Sequence, residues 1–123
     1  MDSRPPVAAT PAPPIVRLAP EIDITNSGRV YADLEAACVP GVGAVIADMT
    51  QTTFCDSSGI RALIQVHNLA GSRRVELSLV VTSDSVLRIL ALCGLNGILH
   101  LYSSTDDAVA SWRRRGGATP PQA

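Results

Sequence analysis

The stretch from Ala44 to Met49 reads Ala-Val-Ile-Ala-Asp-Met, a near-continuous apolar run of strand length. A strand that shows no polar alternation must be covered on both faces, which is the situation of a parallel strand in a sheet flanked by helices. Helices therefore have to lie on either side of it. The rest of the chain supplies them, because apolar runs of strand length alternate with amphipathic stretches of helix length, the pattern of an α/β domain around a mainly parallel sheet.

The elements follow from periodicity and punctuation. A first strand runs from Ile15 to Leu18 and ends near Pro20, and a helix with Val30, Leu34 and Ala37 on one face is stopped by Pro40 and Gly41. After the strand at 44–49 comes a loop from Thr50 to Cys55. A helix opening after Asp56 is expected to bury Ile60, Leu63, Ile64 and His67 and to close near Gly71. Val75 to Val81 is a further strand. Ser83 or Asp84 caps a helix carrying Val86, Leu87, Ile89, Leu90 and Cys93, which Gly94 ends. Ile98 to Tyr102 forms the last strand and Thr105 to Arg115 the last helix. The expectation is a single domain with a parallel or mixed sheet of four to five strands and about four helices. The helix before Gly94 is apolar on more than one face, since Leu87 and Leu92 cannot share a stripe with Val86, Leu90 and Cys93. A terminal helix of the same chain is expected to cover the remainder, ahead of a partner protein.

At 123 residues the chain is long enough for one core and too short for two. Residues 1–14, rich in Pro and Ala, read as a flexible lead, residues 15–115 as the domain and residues 116–123 as a flexible tail. A net charge of -1 leaves no electrostatic footprint for nucleic acid or an anionic membrane, and Arg113, Arg114 and Arg115 complement a helix end. No run approaches transmembrane length and the early prolines break any signal peptide, so a cytoplasmic protein is expected. Cys38, Cys55 and Cys93 are odd in number, widely spaced and outside any metal-ligand pattern, and read as core hydrophobes in a reducing compartment. No metal and no cofactor is expected.

All ten basic residues are Arg. The absence of Lys removes Schiff-base chemistry and any phosphoryl-pairing lysine, and with it a receiver domain that phosphorylates an Asp. A phosphatase with an Asp nucleophile wants Asp-x-Asp after its first strand, and Asp23-Ile24-Thr25 lacks the second carboxylate. Acyl transfer through Ser57, Ser58 or Cys55 needs a base; His67 lies in a helix pattern and His100 in a strand, and neither is followed in sequence by an evident orienting carboxylate. Gly41-Val42-Gly43 precedes a strand and lacks the third glycine of a dinucleotide fingerprint. No catalytic residue is assigned, and the chain is not read as an enzyme.

What remains is the loop cluster at the carboxyl ends of the strands, where sheets of this kind meet ligands and partners. Asp23 follows the first strand. Asp56, Ser57, Ser58 and Gly59 open a helix, with Asp56 as N-cap and Gly59 adding no side chain, so that another protein's backbone is able to approach. The stretch Asp48-Met-Thr-Gln-Thr-Thr-Phe54-Cys-Asp56-Ser57-Ser58-Gly59-Ile60 closely resembles the signature of STAS domains of bacterial anti-sigma factor antagonists. Glu21-Ile22-Asp23 resembles a second element of that family, and the likeness spans roughly residues 15–112. The resemblance implies that Ser58, with Ser57 as the alternative, is phosphorylated by a partner anti-sigma factor that is a serine kinase. It also implies that the unphosphorylated protein binds that partner and frees a sigma factor, so regulating transcription by partner switching. A PP2C-type phosphatase would restore the binding form, and a weak homodimer is a further expected association.

The expected partner surface comprises Asp23, Asp56, Ser57, Ser58, Gly59 and Ile60, extended by Arg88. A phosphate on Ser58 is expected to be tolerated by the helix N-terminus, whose N–H groups and dipole favour an anion, while like charge beside Asp56 breaks the complex. The resemblance also implies an edge strand before Ile15, which the prolines there make short or missing. The competing expectation is a STAS module of a transporter or stress-signalling assembly that is never phosphorylated.

Overall fold

A computed structural model describes residues 12–115. Residues 1–11 of the expected flexible lead, the whole expected tail, and most of the segment in which a further edge strand would lie fall outside the described residues, whereas Pro13 is buried and the Pro14 carbonyl accepts the Ile46 N–H at 2.9 Å.

Four parallel strands form the main sheet: β1 (Ile15–Arg17), β3 (Ala44–Met49), β5 (Glu76–Val81) and β6 (His100–Tyr102), in the order β1-β3-β5-β6. A second, two-stranded parallel ladder pairs β2 (Glu21–Ile22) with β4 (Phe54–Cys55). Four helices connect them: α1 (Ser27–Ala37), α2 (Ser57–Ser72), α3 (Asp84–Leu92) and α4 (Thr105–Arg114).

Every residue of β3 and β5 is buried, as a strand with helices on both faces must be. Side chains alternate across the pleat. Val45, Ala47, Met49, Leu77, Leu79 and Val81 join the main core with Leu34, Leu63, Val66, Val86 and Leu90 of α1, α2 and α3, whereas Ile46 and Val80 face the other way, against Ala108 and Val109 of α4. Three helices thus cover one face and α4 the other. Gly43, with φ +84, leads into β3 beneath α4; a Cβ there would stand 3.2 Å from the Trp112 ring. Only glycine meets both demands.

Placement of α4 overturns one expectation. It lies on the face of the sheet opposite α3, so it cannot cover the outer side of that helix, where Leu87, Leu92 and Cys93 stay exposed. Cys93 is therefore not a core residue, unlike Cys38 and Cys55. The buried stripe of α2 also differs. It runs through Gly59, Ile60, Ala62, Leu63, Val66 and Ala70, while Ile64 is exposed and His67 only half-buried. The last strand is shorter than expected, because Leu95–Gly97 form a 3-10 turn entered through Gly94 in the left-handed conformation.

At the end of the sheet where β5 begins, Glu76 is nearly inaccessible and is held by Arg115, which donates one guanidinium nitrogen to each carboxylate oxygen. His100 Nε2 lies 3.4 Å from the same carboxylate. Tyr102 donates its hydroxyl to Ser111 Oγ at 2.8 Å, tying α4 to β6.

Candidate functional site

The two-residue ladder is the scaffold of the site. Its register sets Glu21 beside Phe54 and Ile22 beside Cys55, so the next residues, Asp23 and Asp56, leave the ladder side by side at its carboxyl end. Asp56 continues the link by donating its N–H to the Ile22 carbonyl at 3.1 Å. Thr52 supports the approach to β4: buried completely, it donates its hydroxyl to the Ala19 carbonyl at 2.8 Å.

From there the two acids diverge. Asp23 Oδ1 accepts the N–H of Thr25 at 2.9 Å and the Thr25 hydroxyl at 2.5 Å, and the Asp23 N–H donates to Asn26 Oδ1. It stabilises its own loop before α1. Asp56 instead caps α2. Its Oδ1 accepts the Ser58 N–H at 2.9 Å, the Gly59 N–H at 3.2 Å and the Ser58 hydroxyl at 2.5 Å. The Ser58 hydroxyl, assisted by the two amides, holds the Asp56 carboxyl below its ordinary pKa.

This arrangement corrects the expected electrostatics of the first turn. The N–H groups of Ser58 and Gly59 already donate to Asp56, and the Ile60 N–H donates to the Asp56 carbonyl. They are not available to another anion.

Gly59 also has a different reason from the one expected. A Cβ on it would lie 2.5 Å from Cys55 Sγ and 2.7 Å from Ile22 Cγ2. The close approach is made by the β2–β4 ladder of the same chain, not by a partner. Ile60 is likewise buried, at 5% exposure. Gly59 and Ile60 therefore hold the turn from beneath, and the outward part of the expected surface keeps Ser57 and Arg88, exposed, with Asp23, Asp56 and Ser58, half-buried. Cys55, beneath the cap, has its thiol pushed up to about 11, by burial first and then by Asp56 and Cys93. It is a packing residue.

Ser57 and Ser58 form one lip of a groove of about 370 Å³ between the first turns of α1 and α2. Ile24, Ser27 and Tyr31 line the opposite side, and Arg61 lies one turn along α2 from Ser58. Sequence reasoning missed these residues. The spacing of Ser58 and Arg61, three apart on a helix, was the available signal. Ile24 and Phe54, 77% and 50% exposed, add large apolar side chains beside the site. Arg88 is exposed on α3 but does not line this groove. The N-terminus of α3 reaches the loop before β4 through Ser85, whose hydroxyl donates to the Thr53 carbonyl at 3.0 Å.

Among the described residues there is no cluster of His, Cys, Asp and Glu that could hold a metal ion, and no helix is long and apolar enough to cross a membrane. The geometry offers a hydroxyl held against a carboxylate on the rim of a shallow groove, with apolar side chains beside it.

The STAS domain family model matches residues 4–108 of this chain. No curated protein sequence matches it. An anti-sigma factor antagonist from Mycobacterium paratuberculosis is 23% identical with a TM-score of 0.72, over 80% of this chain and 84% of that one. A sulfate transporter family protein from Wolinella succinogenes is 18% identical with a TM-score of 0.74, over 85% and 88%. The Bacillus cell fate determinant SpoIIAA in its phosphorylated form is 18% identical with a TM-score of 0.60, over 79% and 87%. At these identities the likeness to each structure establishes the fold.

Proposed function

This chain belongs to the STAS domain family, and from that premise we propose that it is an anti-sigma factor antagonist, a binding protein without catalytic activity whose switch is phosphorylation of Ser58. The partner is an anti-sigma factor that is also a serine kinase. Binding it releases a sigma factor, a PP2C-type phosphatase reverses the modification, and the cycle runs in the cytoplasm.

The observation that carries this reading is the Ser58 hydroxyl, held by Asp56 on the rim of the groove. Phosphoryl transfer from ATP forms the Ser58 Oγ–P bond as the bond to ADP breaks, and the hydroxyl proton already points at a carboxylate oxygen. Ser57 is more exposed and remains the alternative acceptor. The partner-facing surface in this reading is the rim at Ser57 and Ser58, the Asp23 loop with Ile24, and Phe54. Asp56, Gly59 and Ile60 contribute by fixing the turn, and Arg88 extends the surface along α3.

A phosphate adds nearly two negative charges beside Asp56. Like charges brought together in an interface cost several kcal/mol, against ~1.4 kcal/mol for a tenfold change in affinity. The complex is lost while the fold persists. Intact-mass analysis after incubation with ATP and anti-sigma kinases encoded in the same genome tests the reading. One added phosphate is expected, absent in Ser58→Ala and retained in Ser57→Ala; partner binding with no phosphate gained on any serine overturns it.

The likeness to a sulfate transporter family protein favours a second reading, an interaction module that is never phosphorylated. Under it, Ser58→Asp leaves partner affinity unchanged.

A further inference from the structure

A phosphate on Ser58 meets a crowded neighbourhood. Asp56 stands within hydrogen-bond distance of the serine hydroxyl and repels the phosphate, and it has already taken the Ser58 and Gly59 amides that would otherwise receive an anion. The phosphate must turn away from Asp56. In the groove that Ser58 lines, Arg61 is the one charged side chain, and among the described residues it pairs with no carboxylate.

Resting on the phosphorylation reading above, we propose that Arg61 is the residue that receives the phosphate of phosphorylated Ser58. Residues three apart on a helix have Cβ atoms about 5–6 Å apart, within reach of a guanidinium and a phosphoryl group, and Arg offers a planar fork matched to phosphate oxygens. The pair would lie across the mouth of the groove, beside Ser27 and Tyr31. Phosphorylation then acts in two ways: it adds charge at the rim, and it bridges the first two turns of α2 so that the groove is filled by the protein's own side chains. Arg61 is a positioning residue for the modified state.

Protein carrying phosphoserine at position 58, incorporated during translation, tests this without any kinase. Phosphorus NMR follows the second ionisation of the phosphate, ordinarily near pH 6. With Arg61 present the midpoint is expected ~0.5 pH unit lower than in Arg61→Gln, because a nearby cation favours the dianion, and Arg61→Lys is expected to fall between them. The Arg61 Nε–H resonance should also move between the unmodified and phosphorylated proteins. Identical titrations for Arg61 and Arg61→Gln overturn the pairing. Since the phosphate is installed independently, a kinase that ignores Ser58 counts against the proposed function alone, and equal titrations count against Arg61 alone.

Discussion

Ser58 donates its hydroxyl proton to the same Asp56 oxygen that accepts its own backbone N–H, so one residue holds the cap twice. The carboxyl of Asp56 is thereby lowered in the native protein, with the Ser58 hydroxyl as the largest cause. Asp56 thus ionises at a lower pH when folded than when unfolded. Its contribution to stability is complete above the ordinary carboxylate value of about 3.9 and is lost as pH falls through the lowered native value. Ser58→Ala removes the hydroxyl and leaves the amides, so the Asp56 midpoint should rise toward the ordinary value. Carboxyl carbon NMR of both proteins measures it, and an unchanged midpoint would mean that the amides alone set the shift.

Gly59→Ala should destabilise the domain by ~1–3 kcal/mol in urea unfolding, even though alanine is the better helix former by up to ~1 kcal/mol. The new Cβ would stand 2.5 Å from Cys55 Sγ and 2.7 Å from Ile22 Cγ2, both buried. Adding Cys55→Ala removes the nearer obstacle, so the double variant should lose less than the sum of the single losses. Strict additivity would show that the clash lies elsewhere.

Among the cysteines, only Cys93 should react rapidly with iodoacetamide in the native protein. It is exposed, whereas Cys38 and Cys55 are buried and their thiols are raised chiefly by burial. Peptide mapping after a brief exposure should find one adduct. Equal labelling of Cys55 would mean that the cap above it opens readily.

The two faces of α3 should respond oppositely. Leu90→Ala should cost ~2–5 kcal/mol because Leu90 is fully buried, while Leu92→Ser should stay within ~0.5 kcal/mol because Leu92 is 78% exposed. Urea midpoints compare them; a large loss at Leu92 would show that the free protein covers this face by self-association.

Much of this architecture was legible in the residues, and the lapses have physical causes. Ala44 to Met49 announced a doubly covered strand because its burial erased the polar alternation, and Asp56 announced a cap because the helix start needs an acceptor. The β2–β4 ladder was not foreseen, since two residues cannot display a period of two. Without it, Asp23 and Asp56 could be placed at strand ends but not beside each other, and Gly59 seemed to make room for a partner when it makes room for Ile22. In α2, Ile64 carries the hydrophobicity, but the stripe rotates through Val66 and Ala70, where small side chains let the helix lie close to the sheet. The groove needed three dimensions, because Ile24 and Tyr31 come from a different helix unit than Ser58 and Arg61.

The clasp between Arg115 and Glu76 bears on where this domain ends. The family match stops at residue 108, yet the cation that neutralises a carboxylate inside the sheet is supplied seven positions later. Trimming the chain at the edge of the match would discard both that cation and Trp112, which packs over Gly43, and would leave Glu76 with His100 alone. For anyone shortening or fusing this protein, the boundary is set by charge balance within the sheet and lies beyond the last residue that the family shares.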